Sequence, residues 1–230
     1  HLTDHTNASR TLLYNLNSRQ WDSELLKLFD CPPSILPEIR PSAGRFAVTD
    51  ASAFFGAEVP ISGVAGDQQA ALFGQGCVAP GTLKNTYGTG CFMLACAGAS
   101  RPLVPEGLLT TMACDAAGQP QFAIEGSVFN GGAAVQWLRD DLGVIQQAAE
   151  TEQIALGIPD TRGVYLVPAF SGLGAPHWDA SARGSIFGLT RGAGRAEIVR
   201  ATLESIAFQS HELAQLMAQA LGVELQCLRV

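Results

Sequence analysis

The run VPISGVAGDQQAALFG, residues 59–74, carries the strongest indication of fold in the chain. Residues 59–65 are apolar or small and predict a buried strand, and the Ala-rich stretch 69–74 predicts a short helix. The turn between them would present Asp67 at the carboxyl end of the strand, where open α/β sheets bind ligands. A carboxylate there could accept a proton from a substrate hydroxyl or lie near a metal ion. Alternatively, Asp67 only caps the helix.

A second turn lies in KNTYGTGCF, residues 84–92, where Gly-Thr-Gly joins two predicted strands. Such a turn can point successive backbone N–H groups in one direction and hold phosphate oxygens, with the Thr89 hydroxyl as a further donor. The alternative is an ordinary tight hairpin. An acid at a strand end followed by a phosphate-type turn fits phosphoryl transfer, in which the protein mainly positions groups and neutralises charge.

The composition excludes several classes of protein. The 230 residues include 21 acidic and 14 basic side chains, and the formal charge of −7 argues against binding to nucleic acid. Hydrophobic residues make up 47% of the chain and charged residues 15%, so a folded core is expected. The apolar stretch 91–99 is too short for membrane insertion. Six cysteines without a Cys-x-x-Cys pair predict buried thiols in a reducing, cytoplasmic setting.

Common catalytic templates are missing from the sequence. There is no P-loop, no Gly-x-Gly-x-x-Gly after a strand and no Gly-x-Ser-x-Gly elbow. The four histidines are widely separated, so a histidine-based metal site has little support.

Helices alternate with strands at both ends of the chain and a strand-rich stretch lies between them, which predicts an α/β or mixed α+β fold. A shift in composition at 77–81 predicts a boundary between a unit over 1–76 and another over 77–230. The clearest helix is expected over 196–221, where an apolar stripe ends at Gly222. Further helices are predicted over 23–29 and 132–141, and strands over 82–87, 91–96, 108–113, 121–125, 164–168 and 225–230.

Several long motifs, in order along the chain, resemble the FGGY family of carbohydrate kinases, which have the actin-like ATPase (ribonuclease H-like) fold. The resemblance implies the end of the family's substrate-side domain over 1–76 and most of its nucleotide-side domain over 77–230. It rests on TNASRT (6–11), GDQQAALFGQ (66–75), KNTYGTGCF (84–92), EGSVF (125–129), QWLRD (136–140), PAFSGLGAPHWD (168–179), and GSIFGL (184–189) followed by EIVRATLE (197–204).

On the acceptor side, the resemblance implies that Asp67 is the catalytic base that takes the proton from the attacking hydroxyl. Gln68 would bind hydroxyls of the acceptor, and Phe92 would form an apolar wall beside its carbon chain. Within the family these residues favour ATP-dependent phosphorylation of glycerol to sn-glycerol 3-phosphate. The alternatives are another sugar or polyol kinase, acting on xylulose, gluconate or ribulose, and a non-catalytic actin-like nucleotide-binding module.

On the nucleotide side, the resemblance implies that Thr89 holds the phosphates of ATP and that Gly132 and Gln136 border the nucleotide. Mg²⁺ would accompany ATP, with Asp67 in its neighbourhood. Without the resemblance, Gly132 would simply start a helix and Gln136 would be a solvated helix residue.

Four other residues of the matching motifs are expected to have no part in catalysis. Trp137 and Trp178 are predicted to be anchors of the core, because large aromatic side chains dominate core packing. Glu204 lies beside the apolar stripe of the long helix and is interpreted as structural. His177 stands where relatives often have Tyr, so catalysis by this imidazole is not expected.

The resemblance also predicts what the chain lacks. A middle piece of a kinase without the outer phosphate-binding and adenosine-binding segments is expected to be inactive alone, and the full-length enzyme is expected to be a cytoplasmic homo-oligomer. Regulated bacterial members carry a Gly-Gly-Thr-Arg loop that binds fructose 1,6-bisphosphate. Here the corresponding stretch is FFGAE, residues 54–58, and the Glu58 carboxylate predicts weak inhibition or none.

Overall fold

A computed structural model describes residues 1–225 and 227–230. The first part of the chain contains short elements: β1 (Leu2–Asp4), α1 (His5–Ala8), β2 (Tyr14–Asn15), β3 (Gln20–Trp21), α2 (Ser23–Leu28), a 3₁₀ turn (Pro33–Ile35), β4 (Glu38–Arg40), β5 (Ala43–Val48), β6 (Pro60–Gly63) and α3 (Asp67–Gly74). The second part contains β7 (Leu83–Tyr87), β8 (Cys91–Gly98), β9 (Leu109–Cys114), β10 (Pro120–Val128), α4 (Gly132–Asp140), α5 (Glu150–Leu156), β11 (Tyr165–Val167), β12 (Ser185–Phe187), α6 (Arg195–Leu221) and β13 (Leu228–Arg229).

The central sheet has the strand order β13-β7-β8-β10-β9. Neighbouring strands from β7 to β9 are antiparallel, and β13 pairs parallel with β7. Side chains alternate between the two faces, so Met93 packs toward Leu213 of α6 while Leu94 packs toward Leu72 of α3. Because helices cover both faces, the strands are apolar on both sides.

The long helix α6 matches the prediction to within one residue. Three residues of the predicted stripe are buried. Leu213 and Met217 pack against the central sheet, and Val199 packs against Leu138 of α4. Gly222 follows the last turn with φ of 63°, a left-handed conformation that glycine adopts without steric cost. At the other end, the Glu197 carboxylate accepts the Gly194 N–H at 2.8 Å, which stabilises the first turn.

The strand-rich prediction for the middle of the chain is confirmed, and β8 and β9 run slightly past their predicted ends, to Gly98 and Cys114. Strand β10 continues to Val128, beyond the predicted end at 125. Gly126 lies inside this strand, where α6 passes close to it. A Cβ at Gly126 would lie 3.0 Å from Cδ2 of Leu213. The predicted strand 225–230 is observed as β13, and its position 226 lies outside the described residues.

Two predictions about burial are wrong. The strand expected over 59–65 is β6, and all four of its residues are exposed. It pairs with β5 in a two-stranded ribbon separate from the central sheet, so its apolar residues have no sheet face to cover them. Trp178 is 43% exposed rather than a core anchor, and its indole N–H donates to the Gly107 carbonyl at 2.8 Å. Trp137 is half-buried against Phe170.

The cysteines are free thiols, as predicted, but they are not uniformly buried. Cys77, Cys91, Cys96 and Cys114 are buried, whereas Cys31 is half-buried and Cys227 is exposed. Burial disfavours the thiolate and raises the pKa of Cys91 to about 11. The four buried thiols therefore behave as small apolar side chains of the core.

Candidate functional site

Helix α3 begins at Asp67, which is exposed at its first position. Gly66 is the N-cap residue and no side chain caps the helix, so the alternative in which Asp67 serves as the cap is wrong. The turn is held from the other side by Thr6, whose hydroxyl accepts the Gly66 N–H at 2.8 Å. The Asp67 carboxylate is therefore free of the capping role and available to a ligand.

The TNASRT motif explains why this turn is rigid. The buried Asp4 carboxylate accepts from the Thr6 hydroxyl at 2.7 Å and from the Ser42 hydroxyl at 2.6 Å. A Cβ at Gly66 would lie 2.6 Å from Oε1 of Gln69, so the buried Gln69 amide would have to move to admit one. A buried network of satisfied polar groups thus fixes the backbone immediately before Asp67.

The sheet face that α3 covers turns polar near the start of this helix. Cross-strand pairing places Thr86, Phe92 and Ser127 in one row across β7, β8 and β10. The next row contains Lys84, Leu94 and Glu125 on the same three strands. Phe92 is 36% exposed, so its ring lies at the boundary between the apolar core and the polar row.

Lys84 connects this sheet face to α3. Its side chain is 1% exposed, and its ammonium donates to Oε1 of Gln68 at 2.5 Å, to Oγ1 of Thr86 at 2.8 Å and to the carbonyl of Phe92 at 3.2 Å. Burial lowers the pKa of Lys84 to about 8, and the nearby Glu125 and Asp67 carboxylates act in the opposite direction. The structure thereby brings Gln68 and Phe92, both named from the sequence, to one lysine.

The Gln68 side chain also reaches its neighbour, because its Nε2 donates to Oδ2 of Asp67 at 3.3 Å. Hydrogen bonds through Lys84 therefore link the side chains of Asp67 and Gln68 to the backbone carbonyl of Phe92. Sequence reasoning did not identify Lys84. The available signal was a charged side chain inside an apolar strand, at a position whose alternation makes it point inward.

A second buried charge lies beside this group. The Arg10 guanidinium makes two hydrogen bonds to the Glu125 carboxylate, at 2.6 Å and 3.0 Å, and Glu125 is 2% exposed. Such two-point contacts are among the stronger charged interactions and fix the geometry of both groups. The pair joins the segment after α1 to β10, and neither role followed from the sequence alone.

The nucleotide-side residues meet at the tip of the β7–β8 hairpin. The Thr89 carbonyl accepts the N–H groups of Gly131 at 2.8 Å and Ala133 at 3.1 Å, and the Gly88 carbonyl accepts the Gly132 N–H at 2.8 Å. The first turn of α4 therefore lies directly on the hairpin tip. Thr89 is exposed there, and Gln136 is exposed one turn further along α4.

Glycine is required where the hairpin tip meets its neighbours. A Cβ at Gly90 would lie 2.4 Å from the Val128 carbonyl oxygen, and one at Gly132 would lie 2.7 Å from the Gly88 carbonyl oxygen. The predicted nest has fewer N–H groups available to a phosphate, because the Gly88 N–H already donates to the Gly90 carbonyl at 2.8 Å. A phosphate at this tip would be bound mainly by the exposed Thr89 residue.

The donor set fits Mg²⁺ only as an ion shared with a nucleotide. Within residues 1–225 and 227–230, no group of three or more His, Cys, Asp or Glu side chains could hold a metal. Mg²⁺ usually takes one or two carboxylates and completes its shell with phosphates and water, and the exposed Asp67 carboxylate can supply one of these carboxylates.

Across the described residues, 1–225 and 227–230, no helix has the length and apolar character of a membrane span.

The remaining motif residues lie in ordinary surface contacts. Glu204 forms an ion pair with Arg200 at 2.8 Å, one turn away on α6, which agrees with a structural role. His177 lies 3.3 Å from the Glu212 carboxylate, and both side chains are exposed. In the loop 54–58, Phe55 is 96% exposed and Glu58 is exposed beside it.

Comparison with known proteins assigns both parts of the chain to one family. Residues 1–74 match the N-terminal domain and residues 83–230 the C-terminal domain of the FGGY family of carbohydrate kinases. A glycerol kinase from Trichlorobacter lovleyi is 58% identical over 231 residues, and one from Shewanella oneidensis is 56% identical over 230. Both alignments cover 100% of this chain but 46% of the relative, so the chain spans less than half the length of these relatives.

Among solved structures, a glycerol kinase from Plasmodium falciparum crystallised with ADP matches with a TM-score of 0.90 at 40% identity. The match covers 99% of this chain and 46% of that one. The actin-like ATPase fold expected from the motifs is thereby confirmed. By both of its matched segments, the chain belongs to the FGGY family of carbohydrate kinases.

Proposed function

We propose that the complete gene product containing this chain transfers the terminal phosphoryl group of ATP to glycerol and releases sn-glycerol 3-phosphate. The observation that carries the proposal is the exposed Asp67 carboxylate at the first residue of α3, hydrogen-bonded to Gln68 and joined through Lys84 to Phe92. Relatives named glycerol kinase that align over the whole chain support glycerol as the acceptor.

Asp67 acts as the general base in this proposal. Its carboxylate accepts the proton of the attacking hydroxyl at hydrogen-bond distance. That oxygen forms the new bond to the terminal phosphorus of ATP while the bond from this phosphorus to the bridging oxygen breaks and ADP leaves. Gln68 donates or accepts a hydrogen bond with a second hydroxyl and orients the short carbon chain. The ring of Phe92 packs against the C–H groups and excludes water from one side.

The nucleotide lies on the far side of the transferred group. The hydroxyl and amide of Thr89 bind phosphate oxygens, and the face of α4 that carries Gly132 and Gln136 borders the nucleotide. Mg²⁺, bound to the phosphates, supplies charge neutralisation at the transferring group. The units proposed over 1–76 and 77–230 contribute Asp67 and Gln68 from one side and Phe92 and Thr89 from the other, so their closure assembles the site.

A competition assay on the complete gene product tests the substrate. We expect kcat/KM for ATP-dependent phosphorylation to be higher for glycerol than for xylulose, gluconate or ribulose, because Gln68 and Phe92 suit a short polyol. A preference for one of the sugars would replace glycerol with that acceptor. ATP binding without phosphorylation of any of them would favour a non-catalytic nucleotide-binding module instead.

A further inference from the structure

Lys84 carries a buried charge, 1% exposed, that the proposed chemistry does not use. We propose that Lys84 is a positioning residue of the acceptor site, whose ammonium fixes the orientation of the Gln68 amide toward Asp67. The proposal rests on the proposed function, because it assigns to Lys84 the preparation of the two residues that bind and activate the acceptor.

An ammonium group has three hydrogen-bond donors and no acceptor. All three donors of Lys84 are used, by Oε1 of Gln68, Oγ1 of Thr86 and the carbonyl of Phe92. Gln68 must therefore present its oxygen to Lys84, since its NH₂ group would meet another donor. The NH₂ group then faces Asp67, and Nε2 lies 3.3 Å from Oδ2 of that carboxylate.

The consequence is an ordered chain of donors from Lys84 through Gln68 to Asp67. One N–H of Gln68 is directed at the base, and the other remains for a hydroxyl of the acceptor. Without Lys84 the amide is free to rotate by half a turn, which would direct its oxygen at the Asp67 carboxylate and remove the donor. The binding of the acceptor and the placement of the base would both suffer.

The surroundings of Lys84 favour a role other than stability. Burying an ammonium costs free energy, and a protein with a well-packed apolar side chain of similar size at such a position is often equally stable or more stable. Burial lowers the pKa of Lys84 to about 8, which reflects this cost. The facing carboxylates are Glu125 and Asp67, and Glu125 is already bound by Arg10. Glu125 thus keeps its partner when Lys84 is replaced.

The contacts of Lys84 also join the two segments of the chain that match the family domains. Gln68 belongs to the match with the N-terminal family domain, while Lys84, Thr86 and Phe92 belong to the match with the C-terminal family domain. Lys84 therefore fixes the acceptor residues of one matched segment against the wall supplied by the other.

A double-mutant cycle on the complete gene product tests the proposal, with Lys84→Met, Gln68→Ala and the double variant compared in steady-state kinetics. We expect Lys84→Met to raise KM for glycerol about 10- to 100-fold, the loss typical of a hydrogen bond to a charged group, and to change KM for ATP less than about twofold. In the Gln68→Ala background, Lys84→Met should change KM for glycerol by less than about twofold, because the amide that Lys84 orients is already absent.

The chain offers a matched control, because Lys27, on α2, is the only other lysine. Lys27→Met makes the same chemical change on the surface and should leave both KM values and the melting temperature unchanged. An equal rise in KM for glycerol with and without Gln68 would show a general structural effect and overturn the proposal. An unchanged KM in Lys84→Met would overturn it as well.

Two further measurements keep the outcome decisive. If Lys84→Met fails to fold, Thr86→Val removes one acceptor of the ammonium and leaves the lysine in place, and its effect on KM must again vanish in the Gln68→Ala background. If the wild type prefers a sugar to glycerol, the proposed substrate is wrong and the cycle is run with that sugar. If it phosphorylates no acceptor, both proposals fail.

Discussion

The acceptor side and the nucleotide side of this molecule are built by different means. On the acceptor side, a buried charged side chain bonds to a partner from another segment, as in Lys84 with Gln68 and Glu125 with the exposed Arg10. At the hairpin tip, backbone carbonyls and amides are in contact, and glycine at 90 and 132 permits the approach. The first arrangement gives specific hydrogen-bond directions, and the second gives a close-packed backbone surface on which Thr89 is exposed.

The comparison teaches which substitutions should affect which substrate. A change in a buried side chain on the acceptor side should alter the recognition and activation of the acceptor while leaving nucleotide binding intact. A change that adds a side chain at the hairpin tip should move backbone and disturb stability together with nucleotide binding.

The largest expected effect belongs to the base. In the complete gene product, Asp67→Asn keeps the shape of the side chain but removes the proton acceptor, and kcat should fall about 10²- to 10⁴-fold. The affinity for ATP, measured by calorimetry, should remain close to that of the wild type. Retained turnover would remove Asp67 from the proposed role and abolish the distinction between the two sides.

The lowered pKa of Lys84 should appear in the pH dependence of the free energy of unfolding. The pKa of Lys84 is lowered to about 8 in the folded protein, against 10.5 for an ordinary lysine. Between these values the unfolded chain binds more protons than the folded one, so this group makes the free energy of unfolding rise with pH. Below about pH 8 both states are protonated and the contribution is constant.

Urea unfolding of the wild type and Lys84→Met at pH 7 and pH 10 measures this contribution. We expect the stability of the wild type relative to the variant to increase by about 1–3 kcal/mol between the two pH values. Titration of buried thiols such as Cys91 occurs in both proteins and cancels in the difference. A relative stability that falls with pH would contradict the lowered pKa.

On the nucleotide side, Gly90→Ala should destabilise the hairpin tip. Its Cβ would lie 2.4 Å from the Val128 carbonyl oxygen, and relief of such a clash by backbone movement typically costs about 1–3 kcal/mol. Gly74→Ala is the matched control, because nothing lies within 4 Å of a Cβ at that helical position. The control should be neutral or slightly stabilising by thermal unfolding; equal losses in both variants would contradict the close approach at Gly90.

The smallest effect is expected in the loop 54–58. The resemblance implies that Glu58 stands where regulated family members have a phosphate-binding Arg, so we expect fructose 1,6-bisphosphate to inhibit the wild type weakly or not at all. Glu58→Arg should increase the inhibition by a few fold, about the value of one exposed charge contact. Inhibition curves of the two proteins decide the matter, and identical curves would contradict the assignment of this loop.

The sequence predicted the secondary structure of the hairpin tip better than the side-chain contacts of the acceptor side, for a physical reason. The hairpin, α4 and their glycines are local features, and Gly-Thr-Gly between two strands identifies them without knowledge of the fold. Lys84, Arg10 and Glu125 gain their roles only through contacts across the sheet, which depend on strand register and on the path of α3. The exposed ribbon of β5 and β6 was missed similarly, because an apolar run does not reveal whether any element covers it.

The central claim is that Asp67, Gln68 and Phe92 form one acceptor site next to the hairpin tip. A crystal structure of the complete gene product with glycerol and a non-hydrolysable ATP analogue tests it most directly. We expect one glycerol hydroxyl about 3 Å from the Asp67 carboxylate, a second hydroxyl bonded to Gln68, and the carbon chain against the Phe92 ring. Glycerol bound in a productive complex without contact to Asp67 and Gln68 would contradict the account.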